Sequence, residues 1–583
     1  MLQSLFFPFS WVIAVVSLLF LVRTKTKFVW LPIVLVGGAA AVFACISVLS
    51  AFGVRYSIVE NAVLNCILAS AAFFINSRKE KEETAVAFAD RGDLVALIVT
   101  AFIAVGCAYA QFGFPFGINF STSDPANHLY ASLEIVNGGD VNGQFFTHLL
   151  CACSILVFEP LVGTASSYVV FIAVEVFLLW LAGLSFYSML MFCLPKHAIV
   201  SVVLTALFML GYPLNNLVFG FSYLGAGVTV VTLCLAVAPM LANKDRGRNS
   251  WFLLPLLLYA LMITYTLFVP TVYFALFLYV MIIRAKQEIP IRKILIEEAK
   301  LFVFPVLMGL LFSYIPMFAG GSPSGAIAVE GYIFRDLYSS FVFIAPLFVY
   351  GIYCEFKKEG CSFCVILLVC MVVFALALLL GGAFGKVSSY YFFKCHYLLW
   401  MLLFAFVAVG AVEALSKSPK FLFSYTLVYV FLFVIFFTGL DQKFSAARPL
   451  FNPSPASSSF VPFVYRFNLE QIESSAISDD VIDLIAQSEI LGADGNKVAV
   501  LGDDSISYWF RALTLQEQDG YWWQTTLYDQ KGILDGAEYV LVLNYEGSLT
   551  LGSGENYSSI RDYAYSLGEV CYGNEKGAII KIR

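Results

Sequence analysis

"SSYVVFIAVEVFLLWLAGLSFYSMLM", residues 166–191, decides the class of this protein. Its one charged side chain is Glu175. Written as a helix at about 1.5 Å per residue, the stretch is longer than the ~30 Å of bilayer hydrocarbon. It reads as a membrane span. A carboxylate inside such a span is costly unless it is paired or neutral, and the sequence names no partner for Glu175.

Similar apolar runs recur on both sides. They fall at roughly 5–22, 28–50, 58–75, 94–111, 166–191, 198–213, 225–242, 251–268, 269–284, 301–318, 339–354, 362–380, 396–415 and 421–439. Fourteen candidate spans make this an α-helical polytopic membrane protein of about 13–14 transmembrane helices. Composition agrees. The 583 residues are 60% hydrophobic and 13% charged, with a mean hydropathy of +0.84, against about 25% charged residues in soluble chains. The net charge of −6 decides nothing, because sorting of charge by side matters more than its sum. The run from Leu5 to Val22 has no basic residues ahead of it and reads as a retained helix rather than a signal peptide. Of the 13 cysteines, only Cys571 lies in the polar tail, so no disulfide framework is expected. Cys361 and Cys364 form a C-x-x-C with no second pair at zinc spacing, and read as membrane-helix residues.

Lys and Arg set the sidedness. One set of connections, from Arg23 to Lys420, holds twenty of them. The opposite set holds four, Arg55, Arg335, Lys386 and Lys394, and the tail holds the remaining ten. The first set is therefore expected in the cytoplasm, provided that the short apolar piece Phe145–Phe158 does not cross. Both termini, the loop 112–144 and the tail are then extracytoplasmic, and the protein is expected in the plasma (inner) membrane.

That loop has no Lys or Arg, and within it runs "STSDPANHLY", residues 121–130. Ser123-Asp124-Pro125 is a helix start signal, with Asp124 as the expected cap and Pro125 at the first helical position. Leu129, Leu133 and Val136 share one apolar stripe, and Gly138-Gly139 stops the helix. A short amphipathic helix on the outer surface is expected. It is followed by an apolar helix carrying His148 ("FFTHLLCACSILVFEPLVG"), then the span that opens this section, a basic turn at Lys196, and "GYPLNNLVFGFSYLGAG" with Asn215, Asn216 and Tyr223. Much later, "VSSYYFFKCHYLLW" brings Tyr390, Tyr391, Lys394 and His396 to the point of re-entry from outside.

This order resembles the GT-C superfamily of membrane glycosyltransferases over about residues 94–440. The resemblance implies a GT-C-like membrane domain over 1–440, with an acid in the first large outer loop and a Tyr-Tyr…Lys segment late in the membrane part. It also implies a polyprenyl-phosphate sugar donor, since nucleotide sugars are cytoplasmic. Asp124 is then the expected general base, within reach of an acceptor hydroxyl. Lys394 and Arg335 are expected to meet the departing lipid phosphate, with His396 and Lys386 as reserves. His128, His148, Tyr390, Tyr391, Asn215, Asn216 and Tyr223 are the expected contacts to acceptor and sugar. No cofactor is required. A divalent metal is an option the sequence does not support, because the neighbours of Asp124 are Ser123 and Pro125 rather than a second acid. Expected partners are the lipid-linked donor, membrane lipids and a glycan or glycolipid acceptor of the cell envelope; no nucleic acid is expected.

After about Asp441 the composition changes. Residues 441–475, with "RPLFNPSPASSSF", read as a linker. Residues 476–583 read as a small extracytoplasmic α/β domain. "SDDVIDLIAQSEIL" and "SYWFRAL" are its helices, "KVAVLGDD" and "EYVLVLN" its strands, and "GEVCYGN" with "GAIIKIR" a closing hairpin. No G-x-G-x-x-G follows "VAVLG", so a lid or binding module is expected rather than a catalyst. The competing classes are a transporter or flippase of lipid-linked glycans, and a polymerase or ligase of another fold. A transporter predicts internal repeats and ionisable groups near the bilayer midplane. No repeat is evident in the sequence.

Overall fold

The computed structural model describes residues 2–22, 27–77, 89–120, 122–163, 166–242, 244–319, 333, 344–357, 362–418, 420, 423–424, 427, 477–492, 497–501, 504–516, 534, 536–544 and 557–583. Arg335, Cys361, nearly all of the expected span 421–439 and the whole linker 441–475 lie outside these residues.

The membrane part begins with α1 (Leu2–Leu21), α2 (Leu31–Ala51), α3 (Ile58–Ser77) and α4 (Arg91–Phe112). The loop helix α5 (Asp124–Val136) and α6 (Phe146–Val162) follow, then α7 (Ser167–Cys193), α8 (Ala198–Met209), α9 (Tyr212–Phe219), α10 (Ser222–Val237), α11 (Lys244–Thr264) and α12 (Val269–Lys286). Next are α13 (Ile291–Gly309), α14 (Ile315–Ala319), α15 (Ala345–Phe356), α16 (Phe363–Ala383) and α17 (Ser389–Lys417). Among the described residues, ten helical segments are long and apolar enough to cross a membrane, and three shorter apolar helices accompany them. The chain is a helical polytopic protein, with fewer full-length spans in the described residues than the fourteen runs expected.

Two of the expected runs differ in the structure, the first for a local reason. The run 198–213 is not one rod. It breaks at Gly211 into α8 and α9, because Pro213 stands in the first turn of α9 and cannot donate back into α8. Trp400 packs so closely on Gly211 that a Cβ there would lie 2.6 Å from the indole. The run 339–354 yields only the 12-residue α15 in the described residues.

α7 and α10 form the centre. α10 is buried along nearly its whole length and packs on α7, α11 and α17. The ends of α4 and α7 are joined through a capping box. Asp90 accepts from the Asp93 amide at 2.9 Å and Asp93 accepts from the Asp90 amide at 3.0 Å, while the Tyr187 hydroxyl donates to Asp93 at 3.0 Å.

The tail holds α18 (Asp479–Gly492), β1 (Val498–Leu501), α19 (Asp504–Thr514), β2 (Tyr539–Leu543), α20 (Tyr557–Ser566), β3 (Gly568–Asn574) and β4 (Gly577–Ile582). The sheet order is β1-β2-β4-β3, with β1 and β2 parallel and the other pairs antiparallel. The expected closing hairpin is the β3–β4 pair. Strands β1 and β2 are fully buried apolar runs, as a strand covered on both faces requires.

The tail also meets the loop helix. α19 packs on α5, with Trp509 stacked on Phe120 at 6.2 Å between centroids and the Arg511 guanidinium 3.8 Å from the centre of the Tyr130 ring. Leu129 and Leu133 are buried in one apolar cluster with Ile506, Trp509 and Phe510. The apolar stripe expected to rest on the outer surface is therefore covered by the tail. A helix of 13 residues with one apolar face needs a partner, and α6 and α19 together supply it.

Candidate functional site

Asp124 does not cap its helix. Ser123 is the cap residue, without a side-chain cap bond, and Asp124 and Pro125 are the first two helical residues. This corrects the expected cap role, and the reason is register. Pro needs only φ near −65° and no donor, so it fits the second position as well as the first. The start of α5 is seated on the C-terminal end of α9. The Thr122 hydroxyl donates to the Phe219 carbonyl at 2.7 Å, and Gly220, at φ +71°, lies where any Cβ would overlap the Pro125 ring. Only glycine satisfies both the left-handed backbone and that contact.

One turn after Asp124 comes His128. Its Nδ1 lies 2.8 Å from His148 Nε2 on α6, and His148 Nδ1 lies 2.9 Å from Gln144 Oε1. The amide oxygen can only accept, so His148 carries its proton on Nδ1 and accepts on Nε2. His128 then donates from Nδ1, which leaves its Nε2 as an acceptor. Burial pushes the His128 imidazole down to about 4; the Asp124 carboxylate opposes this, and Lys394 adds to it. Between about 4 and the ordinary 6.5, the unfolded chain binds a proton on His128 that the folded chain does not. Stability therefore rises with pH across that window and is lost on acidification through it. The thermal midpoint of the wild type is expected to fall more steeply between pH 6.5 and 4 than that of His128→Gln. Parallel slopes for the two proteins would remove His128 from the acid response.

On α17, Tyr390, Lys394 and Tyr397 are spaced four and three apart, and all are buried along one face. The helix starts at Ser388, whose hydroxyl accepts from the Tyr390 amide at 3.1 Å. Lys394 Nζ donates to the Tyr223 hydroxyl at 2.8 Å. The ammonium sits 4.1 Å from the Tyr390 ring centre and 4.9 Å from that of Tyr223, with Phe221, Tyr265 and Tyr391 at 5.4, 5.7 and 5.9 Å. Ring faces stabilise a cation within about 6 Å. No carboxylate of the described residues stands within ion-pair distance of this nitrogen. Asp124 is the acid within electrostatic reach of Lys394, His128, Tyr223, Tyr390 and Tyr391. Rings tie the halves together: His128 lies 4.8 Å from Tyr223, and Phe145 stacks on Tyr223 at 5.8 Å.

The structure thus gathers Asp124, His128, His148, Tyr223, Tyr390, Tyr391 and Lys394. It sets the other expected residues elsewhere. His396 turns Nδ1 to the backbone carbonyls of Phe392 and Phe393, at 3.0 and 3.3 Å, and packs on those two rings. Lys386 is exposed in the turn before α17. Asn215 accepts from the Tyr397 hydroxyl, and Asn216 lines a separate cavity beside α7. Arg335 lies outside the described residues.

Four participants were not anticipated from the sequence: Gln144, Phe145, Phe221 and Tyr265. Gln144 stands four residues before His148, a spacing that was readable. Phe221 and Tyr265 carry no signal, since loops and helix ends in this chain hold many aromatics. Among the described residues, no group of three or more His, Cys, Asp or Glu side chains is placed to hold a metal. No protein-family model matches the chain, and no curated protein is similar to it.

Proposed function

We propose that this protein is a GT-C-type glycosyltransferase that moves a sugar from a polyprenyl-phosphate donor to a hydroxyl of an extracytoplasmic cell-envelope acceptor. The observation that carries the reading is the pairing of one partly exposed acid with one buried, ring-enclosed ammonium that lacks an ion-pair partner among the described residues. A phosphate-bearing lipid supplies the missing anion. In this reading, Asp124 takes the proton of the acceptor hydroxyl as its oxygen attacks the anomeric carbon. The bond from that carbon to the phosphate oxygen breaks, and its electron pair leaves with the lipid phosphate, whose charge Lys394 meets. Tyr223 and Tyr390 orient the ammonium, and neutral His128 stands beside Asp124 as a hydrogen-bond acceptor for sugar or acceptor hydroxyls. Preorganised charges of this kind act most strongly where water is excluded.

The sidedness in this reading rests on the distribution of Lys and Arg. The reaction is tested with the purified full-length protein in nanodiscs, given polyprenyl-phosphate carrying a radiolabelled sugar and an envelope extract as acceptor. Transfer of label from the polyprenyl-phosphate donor to a separated acceptor product supports the reading. Stable binding and flipping of the donor, with no transfer to any acceptor, supports the flippase class instead and overturns it.

A further inference from the structure

Gln144 is half-buried just ahead of α6 and has no part in the transfer proposed above. Its amide oxygen lies 2.9 Å from His148 Nδ1, and His148 Nε2 lies 2.8 Å from His128 Nδ1. The three side chains form one line that ends at His128, one turn beyond Asp124 on α5. Each neutral imidazole has a single N–H, so the group at the head of the line decides the polarity of every bond behind it. An acceptor at the head places both protons on Nδ1. A donor at the head would place both on Nε2, and His128 would then turn an N–H to the site.

The backbone fixes the head of the line. The amide of Gly143 donates to the carbonyl of Phe312 at 2.9 Å. Phe312 stands in the π-helical turn Leu310–Tyr314, between α13 and α14, and turns of this kind recur at functional sites. The bond ties the residue before Gln144 to a distant helix. Directly behind Gln144, the His148 amide donates to the Phe145 carbonyl at 3.0 Å and opens α6. Gln144 is thus held between two anchored points, with His148 four residues on. The polarity matters because of what His128 can then bind. A lone pair on Nε2 accepts from a hydroxyl and offers nothing to an ionised phosphate oxygen, which can itself only accept. The donor within this layer is Lys394, held by the Tyr223 hydroxyl at 2.8 Å.

We propose that Gln144 is a positioning residue: through His148 it holds His128 in the Nδ1–H tautomer, so that His128 takes a substrate hydroxyl and leaves the lipid phosphate to Lys394. The role of the hydroxyl rests on the transfer reading; the tautomer does not. Gln144 sets the division of the site into a half that accepts hydrogen bonds, at His128 and Asp124, and a half that donates them, at Lys394.

The chain has four histidines, so the tautomers can be read by ¹⁵N solid-state NMR of the full-length protein labelled at histidine, at weakly alkaline pH where imidazoles are neutral. The signals of His197 and His396 are removed by difference against His197→Gln and His396→Gln. The two imidazoles that remain are expected to carry their protons on Nδ1. In Gln144→Met, which has the length of Gln but no acceptor at the head of the line, both protons are expected to move to Nε2, the nitrogen that an unconstrained imidazole prefers to protonate. Gln144→Glu offers a carboxylate, which can only accept, and is expected to restore the Nδ1–H pair. Any other distribution in the wild type would overturn the proposal, as would a Met variant that keeps the Nδ1–H pair or a Glu variant that loses it. If the Met variant does not fold, the wild type and the Glu variant still decide. In the transfer assay, Gln144→Met is expected to raise the acceptor KM about 5-fold, the scale of one hydrogen bond, with the donor KM unchanged. Reversed tautomers with an unchanged acceptor KM would overturn the pairing of His128 with a hydroxyl. A wild type that transfers no sugar would overturn the transfer reading, and the hydroxyl's role with it, while the spectrum would still decide the tautomer.

Discussion

Asp124→Asn is expected to lower sugar transfer about 10²-fold or more while leaving the protein folded and able to bind donor. That is the scale of removing a general base. An amide matches the carboxylate in size but takes up no proton near neutral pH. The structure sharpens the comparison, because Ser123 and not Asp124 is the cap residue of α5. Removing a capping side chain costs about 1 kcal/mol, and here that loss should not arise. Asp124→Ala is expected to unfold at the same temperature as Asp124→Asn, within error, and to be equally poor in transfer. The measurement is initial rate with labelled donor at matched protein, alongside thermal unfolding of each variant. Near-normal transfer by the Asn variant would leave Asp124 as nothing more than a helix start.

Lys394→Ala is the second variant with a large expected effect. It removes the ammonium from the ring of Tyr390, Tyr223, Phe221, Tyr265 and Tyr391 and frees the Tyr223 hydroxyl of its donor. Loss of one preorganised group facing a developing charge costs about 10²–10³ in rate. The loss is expected to fall on use of the lipid donor more than on acceptor binding. Lys394→Arg keeps the charge, and a guanidinium stacks well on aromatic faces, but its fork does not reproduce the single bond to Tyr223. Partial transfer with weakened donor binding is the expected result for Arg. If Ala and Arg variants lose donor and acceptor binding equally, the lysine is a packing element of an aromatic belt and not a phosphate ligand. The two variants also separate structure from chemistry, since Lys394→Arg must fit the same buried space.

Much of the architecture was legible from the chain itself. Membrane helices are specified by long apolar runs, and the physical demand behind them is local: each backbone group must find its partner within its own helix. That is why the boundaries at Ile58–Ser77, Ser167–Cys193 and Phe363–Ala383 follow the sequence runs closely. The tail strands were readable for a related reason, since "VAVL" and "YVLVL" are short, Val-rich apolar runs with polar flanks, and both are buried strands in the structure. The composition of the loop, with Asp124 and His128 one turn apart and no basic residue near them, singled out a stretch whose His128 meets His148 and Tyr223 in the structure.

Other features came only with the tertiary structure. The register of α5 by one residue, which frees Asp124 from capping, depends on Pro125 meeting Gly220, and those residues are far apart in the chain. The same holds for the pairing of His128 with His148, for the rings that gather around Lys394, and for the docking of α19 on the stripe of Leu129 and Leu133. His396 shows the limit from the other side. It stands two residues from Lys394, but two residues on a helix are about 200° apart, so proximity in sequence carried it away from the site. Sequence alone thus determined which segments form long apolar helices and which residue types populate the loops, because those choices depend on hydration and local hydrogen bonding. Which side chains meet was decided by packing between distant helices, where a shift of one residue turns a side chain from one neighbour to another.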